Sequence, residues 1–288
     1  MTKDTPRIVL LSLFFPLICT GLADTPACKI QNSELSVDAV EQRVVTSDGC
    51  HSAVVARSKD KALVVLDGQA GSRYNMVATD SLVLSPDGKH VAYFALKGTE
   101  WLLVFDGVET PASGDSFEGH PVLSGNGQHI AYVTRNKGKL SVVADGKRGP
   151  ECDGIVSPLS FSPDGMKLAF IGVRQRSSSL DDAVARRRYF VVVNGEKGDE
   201  YELIKGKPIF SPDGARVAML AYKRSKLVGE LFPLVVVDGR NGPSFVELDP
   251  NTIKFSPDSI DIKYCAKLRD WCQYVNHKKR AKGCTTND

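Results

Sequence analysis

Three histidines, His51, His90 and His129, stand at the same place in successive stretches of similar sequence. Imidazoles are metal ligands and proton carriers, so a recurring set first suggests a metal site or a relay. A metal needs its ligand nitrogens about 2 Å from one ion. Equivalent places on neighbouring sheets are about 10 Å apart, and Lys167 and Arg216 take the place of histidine further along. The position is therefore expected to be an exposed entry to a strand, and no metal or cofactor is assigned. The acids Asp48, Asp87, Asp164, Asp213 and Asp258, with Asn126, sit in Ser-Pro-Asp-Gly-like turns. They lack the close oxygen ligands and the distal Glu of an EF-hand loop and read as turn formers. Neither a Gly-x-Ser-x-Gly elbow nor a His-Glu-x-x-His motif occurs, and no catalytic residue is assigned. His120 and His277 have no partner that can be named from the sequence.

The remaining chemical signal is positive charge. The stretch 174–188 carries Arg174, Arg176, Arg186, Arg187 and Arg188, and the stretch 222–232 carries Lys223, Arg224 and Lys226. Arginine suits bidentate contacts with carboxylate or phosphate. These eight residues are the candidate partner-binding loops, weighed against the blander reading of a hydrated loop pair.

What positions them is a repeat. LSPDGKHVAYFA from Leu84, LSGNGQHIAYVT from Leu123, FSPDGMKLAFIG from Phe161 and FSPDGARVAMLA from Phe210 are flanked by TSDGCHSAVVA from Thr46 and FSPDSIDIKYCA from Phe255. Each of the first five is followed by an apolar run ending in Asp-Gly or Asn-Gly, at Gly68, Gly107, Gly146, Gly195 and Gly239. An aromatic then follows at Tyr74, Phe117, Tyr201 and Phe245, with Cys152 in its place in the third copy. The copies span about residues 43–77, 81–117, 121–156, 158–204, 208–248 and 253–276. In the turn, Pro presets φ, Asp bonds nearby N–H groups and Gly accepts positive φ. The flanking runs are short and rich in Val, Leu, Phe and Tyr, so each copy predicts four antiparallel strands. Runs such as Val91–Phe94 and Leu102–Phe105 are apolar without alternation. Sheets built from them must be covered on both faces, as in a ring of radially packed blades.

The Phe-Ser-Pro-Asp-Gly…Val-Ala-Tyr…Val-Val-Asp-Gly pattern resembles the TolB-type, WD-repeat-like propeller repeats of bacterial exported proteins. The resemblance implies an all-β, six-bladed β-propeller of four-stranded antiparallel blades, forming one domain over residues 24–288. It implies little about function. Two readings of the last blade stand open. The stretch 30–37 from the N-terminal side supplies its outer strand and closes the ring, which is preferred, or 281–285 does so.

The chain has 288 residues, 42% apolar, with a formal net charge of +3. This balance gives no reason to invoke nucleic acid. Residues 1–23 read as a signal peptide: Lys3 and Arg7 precede an apolar run, and cleavage is expected near Ala23. The run is too short for a comfortable transmembrane span. Export places the protein in the periplasm or outside the cell, where disulfides are expected. Cys265 and Cys272 lie on one hairpin and are the candidate pair. Cys28 and Cys284 could staple the termini, Cys152 is expected to be a buried free thiol, and Cys50 is left over.

These features favour a monomeric, non-enzymatic binding scaffold for an envelope or extracellular protein or another anionic ligand. A propeller hydrolase or lactonase, with a site at the central channel mouth, is the alternative. A purely structural module is the third reading.

Overall fold

A computed structural model describes residues 39–175, 187–225, 227–268 and 271–282. Six antiparallel sheets follow one another in chain order among the described residues. The first holds Ala39–Val45, Ser52–Ser58, Lys61–Leu66 and Gln69–Tyr74. The third and fifth likewise have four strands: Ser116–Leu123, Ile130–Asn136, Lys139–Ala144 and Lys147–Arg148, then Leu203–Phe210, Val217–Arg224, Leu231–Val237 and Arg240–Ser244. In the second, fourth and sixth sheets the first strand is broken in two. These sheets are Met76–Val77 and Val83–Leu84 with Val91–Lys97, Glu100–Phe105 and Val108–Pro111; Gly154–Ile155 and Ser160–Phe161 with Leu168–Gln175, Arg187–Val193 and Glu196–Lys197; and Glu247–Leu248 and Lys254–Phe255 with Ile262–Lys267, Trp271–Val275 and Lys278–Lys282.

Each break would orphan an N–H of the second strand, and a hydroxyl satisfies it. Phe94 N donates to Ser81 Oγ (3.2 Å), Ile171 N to Ser157 Oγ (2.8 Å) and Cys265 N to Thr252 Oγ1 (2.8 Å). A buried backbone donor left unpaired costs about 1–3 kcal/mol, so these side chains make the breaks tolerable.

The described residues fall into two compact units. One runs through Ala112 and includes Gly119–Leu123; the other holds Ser113–Glu118 and continues from Ser124. In the first, Val55, Val64, Tyr74, Val77, Tyr93 and Val104 form one core between the first and second sheets. In the second unit, three cores join the third sheet to the fourth, the fourth to the fifth and the fifth to the sixth. The fourth and fifth sheets are thus covered on both faces, which explains why their central strands are apolar without alternation. In four of the five copies the slot after the Asp-Gly turn fills these interfaces, Tyr74, Cys152, Tyr201 and Phe245 all being buried, while Phe117 of the second copy is half-buried. Tyr74 meets Tyr93 edge-on at 6.0 Å, and Phe245 meets Tyr274 at 4.7 Å.

The outer place in the sixth sheet is taken by Lys278–Lys282, paired to Trp271–Val275. A C-terminal segment therefore stands on the edge assigned above to 30–37. It starts earlier than 281–285, because Asn276-His277 forms the tight turn of the hairpin. Residues 30–37 and the leader 1–23 lie outside the described residues. No helix among the described residues is long and apolar enough to cross a membrane.

Candidate functional site

The most regular side-chain chemistry lies at the end of each sheet where the first strand turns into the second. In every copy a hydroxyl and a carboxylate or amide lock the turn. Thr46, Ser85, Ser124, Ser162, Ser211 and Ser256 donate to Asp48, Asp87, Asn126, Asp164, Asp213 and Asp258 at 2.5–2.6 Å. The same Asp or Asn Oδ1 accepts the backbone N–H two residues on, as from Lys89 (3.2 Å) and Met166 (3.1 Å). The hydroxyl accepts the N–H that opens the second strand, as from His90 (3.0 Å) and Arg216 (2.9 Å). The hydroxyl donor and then the backbone donor hold the five Asp carboxyls below their ordinary value of 3.8.

The histidines belong to this end. His51, His90 and His129 place Nδ1 at 2.7, 2.7 and 2.8 Å from Asp67, Asp106 and Asp145. These are the acids of the downstream Asp-Gly turns, each with positive φ, as a type I′ turn requires. Their second oxygen accepts the next backbone N–H, from Ser52, Val91 and Ile130 (2.8–3.0 Å). Arg216 repeats the clamp on Asp238 (3.0 Å), and Asn276 meets Asp261 (2.6 Å) with roles reversed. The histidine position is thus a strand-entry clamp and half-buried. The sixteen-residue step from His to Asp in the first three copies was the sequence signal for it. Among the described residues no three His, Cys, Asp or Glu side chains converge as metal ligands would. His120 bonds the Pro121 carbonyl (2.9 Å) and His277 the Tyr264 hydroxyl (3.0 Å).

Within each unit these turns also touch their neighbours. A Cβ on Gly88 would meet the His51 ring, one on Gly165 the Asn126 amide, and one on Gly214 the Asp164 carboxylate. Lys167 donates to the Ala215 carbonyl, Asp213 N donates to Ser259 Oγ (3.0 Å), and Arg216 Nη1 donates to the Ile260 carbonyl (2.6 Å).

The basic candidates sit at the opposite end. Of the eight, Arg174, Arg187, Arg188, Lys223 and Arg224 are described; Arg176, Arg186 and Lys226 lie outside the described residues. Arg174 faces Arg188 across the fourth sheet's hairpin, and Gln175 faces Arg187. Arg188 pairs with Glu202 at 2.5 Å and Arg174 with Glu200 at 3.8 Å. Burial alone would raise Glu202, but the Arg188 hydrogen bond and charge, with backbone donors including Arg224 N–H, leave it below the ordinary range. Lys223 lies over the Tyr201 ring at 5.1 Å, and Glu202 N donates to the Tyr222 carbonyl (3.2 Å). The segment 200–202 therefore ties the stems of both hairpins together. Arg188 is consumed in its ion pair, whereas Arg174 shares Glu200 with the nearer Lys197 (2.6 Å) and stays half exposed; Arg187 is exposed, and Lys223 and Arg224 flank the second stem.

The candidate disulfide is corrected by the register. Cys265 pairs with Gln273, and Cys272 with Ala266. Paired residues share a face, so Cys265 and Cys272 point to opposite faces of the sheet. Cys272 is a free, buried thiol packed with Ala266 and Tyr274, and Cys265 is disulfide-bonded. Cys50, left over in the sequence reading, is also in a disulfide. Cys28 and Cys284 lie outside the described residues. Cys152 is free and buried, as expected; burial, then the neighbouring Asp153, pushes its thiol up to about 11.

No family model matches the chain. No curated protein is similar to it. Solved structures are. Hydrazine synthase of Kuenenia stuttgartiensis is 16% identical over 85% of this chain and 84% of that one, with a TM-score of 0.39. TolB of Acinetobacter baumannii is 14% identical over 75% of this chain and 56% of its own, at 0.32. The β-propeller domain of the trilobed protease of Pyrococcus furiosus is 12% identical over 85% and 83%, at 0.40. The chain resembles TolB-type and WD-repeat-like propellers. At these TM-scores the likeness says nothing of activity or partner, and the all-β reading stands on the six repeated sheets.

Proposed function

We propose that the protein is an extracytoplasmic binding scaffold, a single ring of six blades whose hairpins in the fourth and fifth sheets engage an anionic partner of the cell envelope. The observation that carries this reading is the convergence of those two hairpins on Glu200–Glu202, which leaves Arg187, Lys223 and Arg224 at one end of the second unit. Arginine there can take a carboxylate or phosphate through two parallel bonds. The opposite end spends its acids, hydroxyls and histidines on turn clamps, which speaks for rigidity rather than turnover. The hydrolase or lactonase reading has no such support: no nucleophile–base pair emerges among the described residues.

Charge reversal tests it. The double variant Arg187→Glu/Arg224→Glu should fold as the parent does. In quantitative crosslinking on native envelopes it should lose its principal partner by about tenfold or more, since reversing two charges at a contact costs at least about 1.4 kcal/mol. Crosslinking unchanged across the whole partner set, together with unchanged sedimentation with the envelope membranes, refutes the reading.

A further inference from the structure

The hairpin of the fifth sheet ends in a loop that displays apolar side chains. Its backbone is self-supporting. Ser225 N donates to the Glu230 carbonyl (2.8 Å), and Gly229 N donates to the Ser225 carbonyl (3.0 Å). Ser225 Oγ accepts the N–H groups of Leu227 (3.2 Å) and Val228 (3.4 Å). Arg224 Nη1 donates to the Gly229 carbonyl, and Gly229 takes the positive φ of 72° that closes the loop. These bonds hold the described residues of the loop, and its two apolar side chains face away from the protein: Leu227 is 96% exposed and Val228 63%.

They are not alone at that end. Leu268, in the hairpin of the sixth sheet, is 54% exposed, and Val246, entering the same sheet, 52%. Val246 N donates to the Lys267 carbonyl (2.9 Å), which puts these two side by side. The fifth and sixth sheets touch through their turns at the other end, so their hairpins share this one. Arg187, Lys223 and Arg224 flank the apolar apex. Of the described acids nearby, Glu247 is paired with Lys267 (3.4 Å), and Glu230 belongs to the loop itself.

The geometry points to an anionic lipid surface as the occupant of this end, with Leu227 and Val228 entering the boundary between headgroups and acyl chains and Arg187, Lys223 and Arg224 lying among the phosphates. The apolar pair comes from one turn of a single hairpin. A protein partner needs about 800 Å² of complementary surface on each side, whereas a bilayer accepts a protruding apolar pair beneath a ring of cations without any matching shape. The charge is of the sign such a surface selects. This deepens the scaffold reading and rests on it, since the anionic partner becomes phospholipid.

The test is flotation of the full chain with phosphatidylcholine vesicles, with and without phosphatidylglycerol. Partition is expected only where phosphatidylglycerol is present, and it should fall as salt is raised. Leu227→Ser/Val228→Ser should reduce it by about tenfold to a hundredfold, the effect of removing two inserted apolar side chains. Its unfolding midpoint should move by no more than about 1–2 °C, because Leu227 is almost wholly exposed and Val228 mostly so. Equal partition into both vesicles, none into either, or parental binding by the serine variant overturns the proposal. If vesicles fail while Arg187→Glu/Arg224→Glu still loses a crosslinked protein, the lipid assignment falls and the scaffold reading survives. If both fail, the scaffold reading falls with it.

Discussion

Arg216 joins the fifth and sixth sheets at their turn ends, beside the Ser259 hydroxyl that accepts from Asp213 N–H (3.0 Å), and replacing it measures its share of that joint. Its Nε donates to Asp238 Oδ2 (3.0 Å), its Nη1 to the carbonyls of Ile260 (2.6 Å) and Ser259 (3.4 Å), and its guanidinium lies 5.2 Å from the centre of the Phe255 ring. The pair with Asp238 is partly exposed and worth about 0.2–1 kcal/mol. A hydrogen bond from a charged donor to a carbonyl contributes about 1.5–3 kcal/mol, and the cation over Phe255 about 0.5–1. These terms are not additive, and the arginine side chain keeps 30% exposure, so the lower half of their sum applies. Arg216→Ala should therefore cost about 2–3 kcal/mol, or about 4–10 °C in unfolding midpoint. Arg216→Lys should recover only part of this, because one ammonium cannot reach Asp238 and the Ile260 carbonyl in the arginine's planar geometry. Urea denaturation gives the free energies, and amide exchange at Ser259 and Ile260 gives the locality. A cost below about 0.5 kcal/mol for the alanine variant, with unchanged exchange at those amides, would show that the Arg216 contacts do not couple the sheets.

Two further outcomes test the same end of the sheets. Gly214 and Gly195 both hold positive φ (72° and 80°), but a Cβ on Gly214 would lie 2.5 Å from the Asp164 carboxyl, whereas one on Gly195 meets nothing within 4 Å. Gly195→Ala should cost about 1–2 kcal/mol from backbone strain alone, and Gly214→Ala at least about 1 kcal/mol more in the same denaturation assay. The turn carboxyls of Asp48, Asp87, Asp164, Asp213 and Asp258 titrate below 3.8 in the folded protein. The unfolded chain then binds more protons, so stability is full above about pH 4 and falls as pH drops through the folded values. Asp87→Asn/Asp164→Asn copies the amide already present at Asn126, which keeps the same turn bonds. The variant should match the parent at pH 7 and lose less stability at pH 3, seen as a smaller gap between its two urea midpoints.

Much of this molecule is written locally. Ser-Pro-Asp-Gly and Asp-Gly specify turns through φ preference and short-range hydrogen bonds. Apolar runs without alternation specify sheets buried on both faces. A cysteine in an aromatic slot is buried because the slot is an interface between sheets. The clamps were half legible: the recurrence of His51, His90 and His129 marked the position, but its partner acid follows a whole hairpin later and meets it only when the second and third strands pair. The basic stretches were legible as charge. Their neutralisation was not, because Glu200 and Glu202 follow the next turn and carry no mark of which cation they face.

Sequence alone determined the repeat, its turns, the sheet as its unit and the need for neighbouring sheets to cover it, all consequences of backbone preference and hydrophobic burial within one copy. Tertiary structure decided whatever depends on register or on a second sheet. It put Cys265 and Cys272 on opposite faces, since one residue of register reverses every side chain. It gave the last outer strand to Lys278–Lys282, Arg216 to the Ile260 carbonyl, and left Leu227 and Val228 facing outward. Turn chemistry acts over a few bonds and is legible in a line of residues; pairing, facing and exposure are relations between segments, settled only when those segments meet.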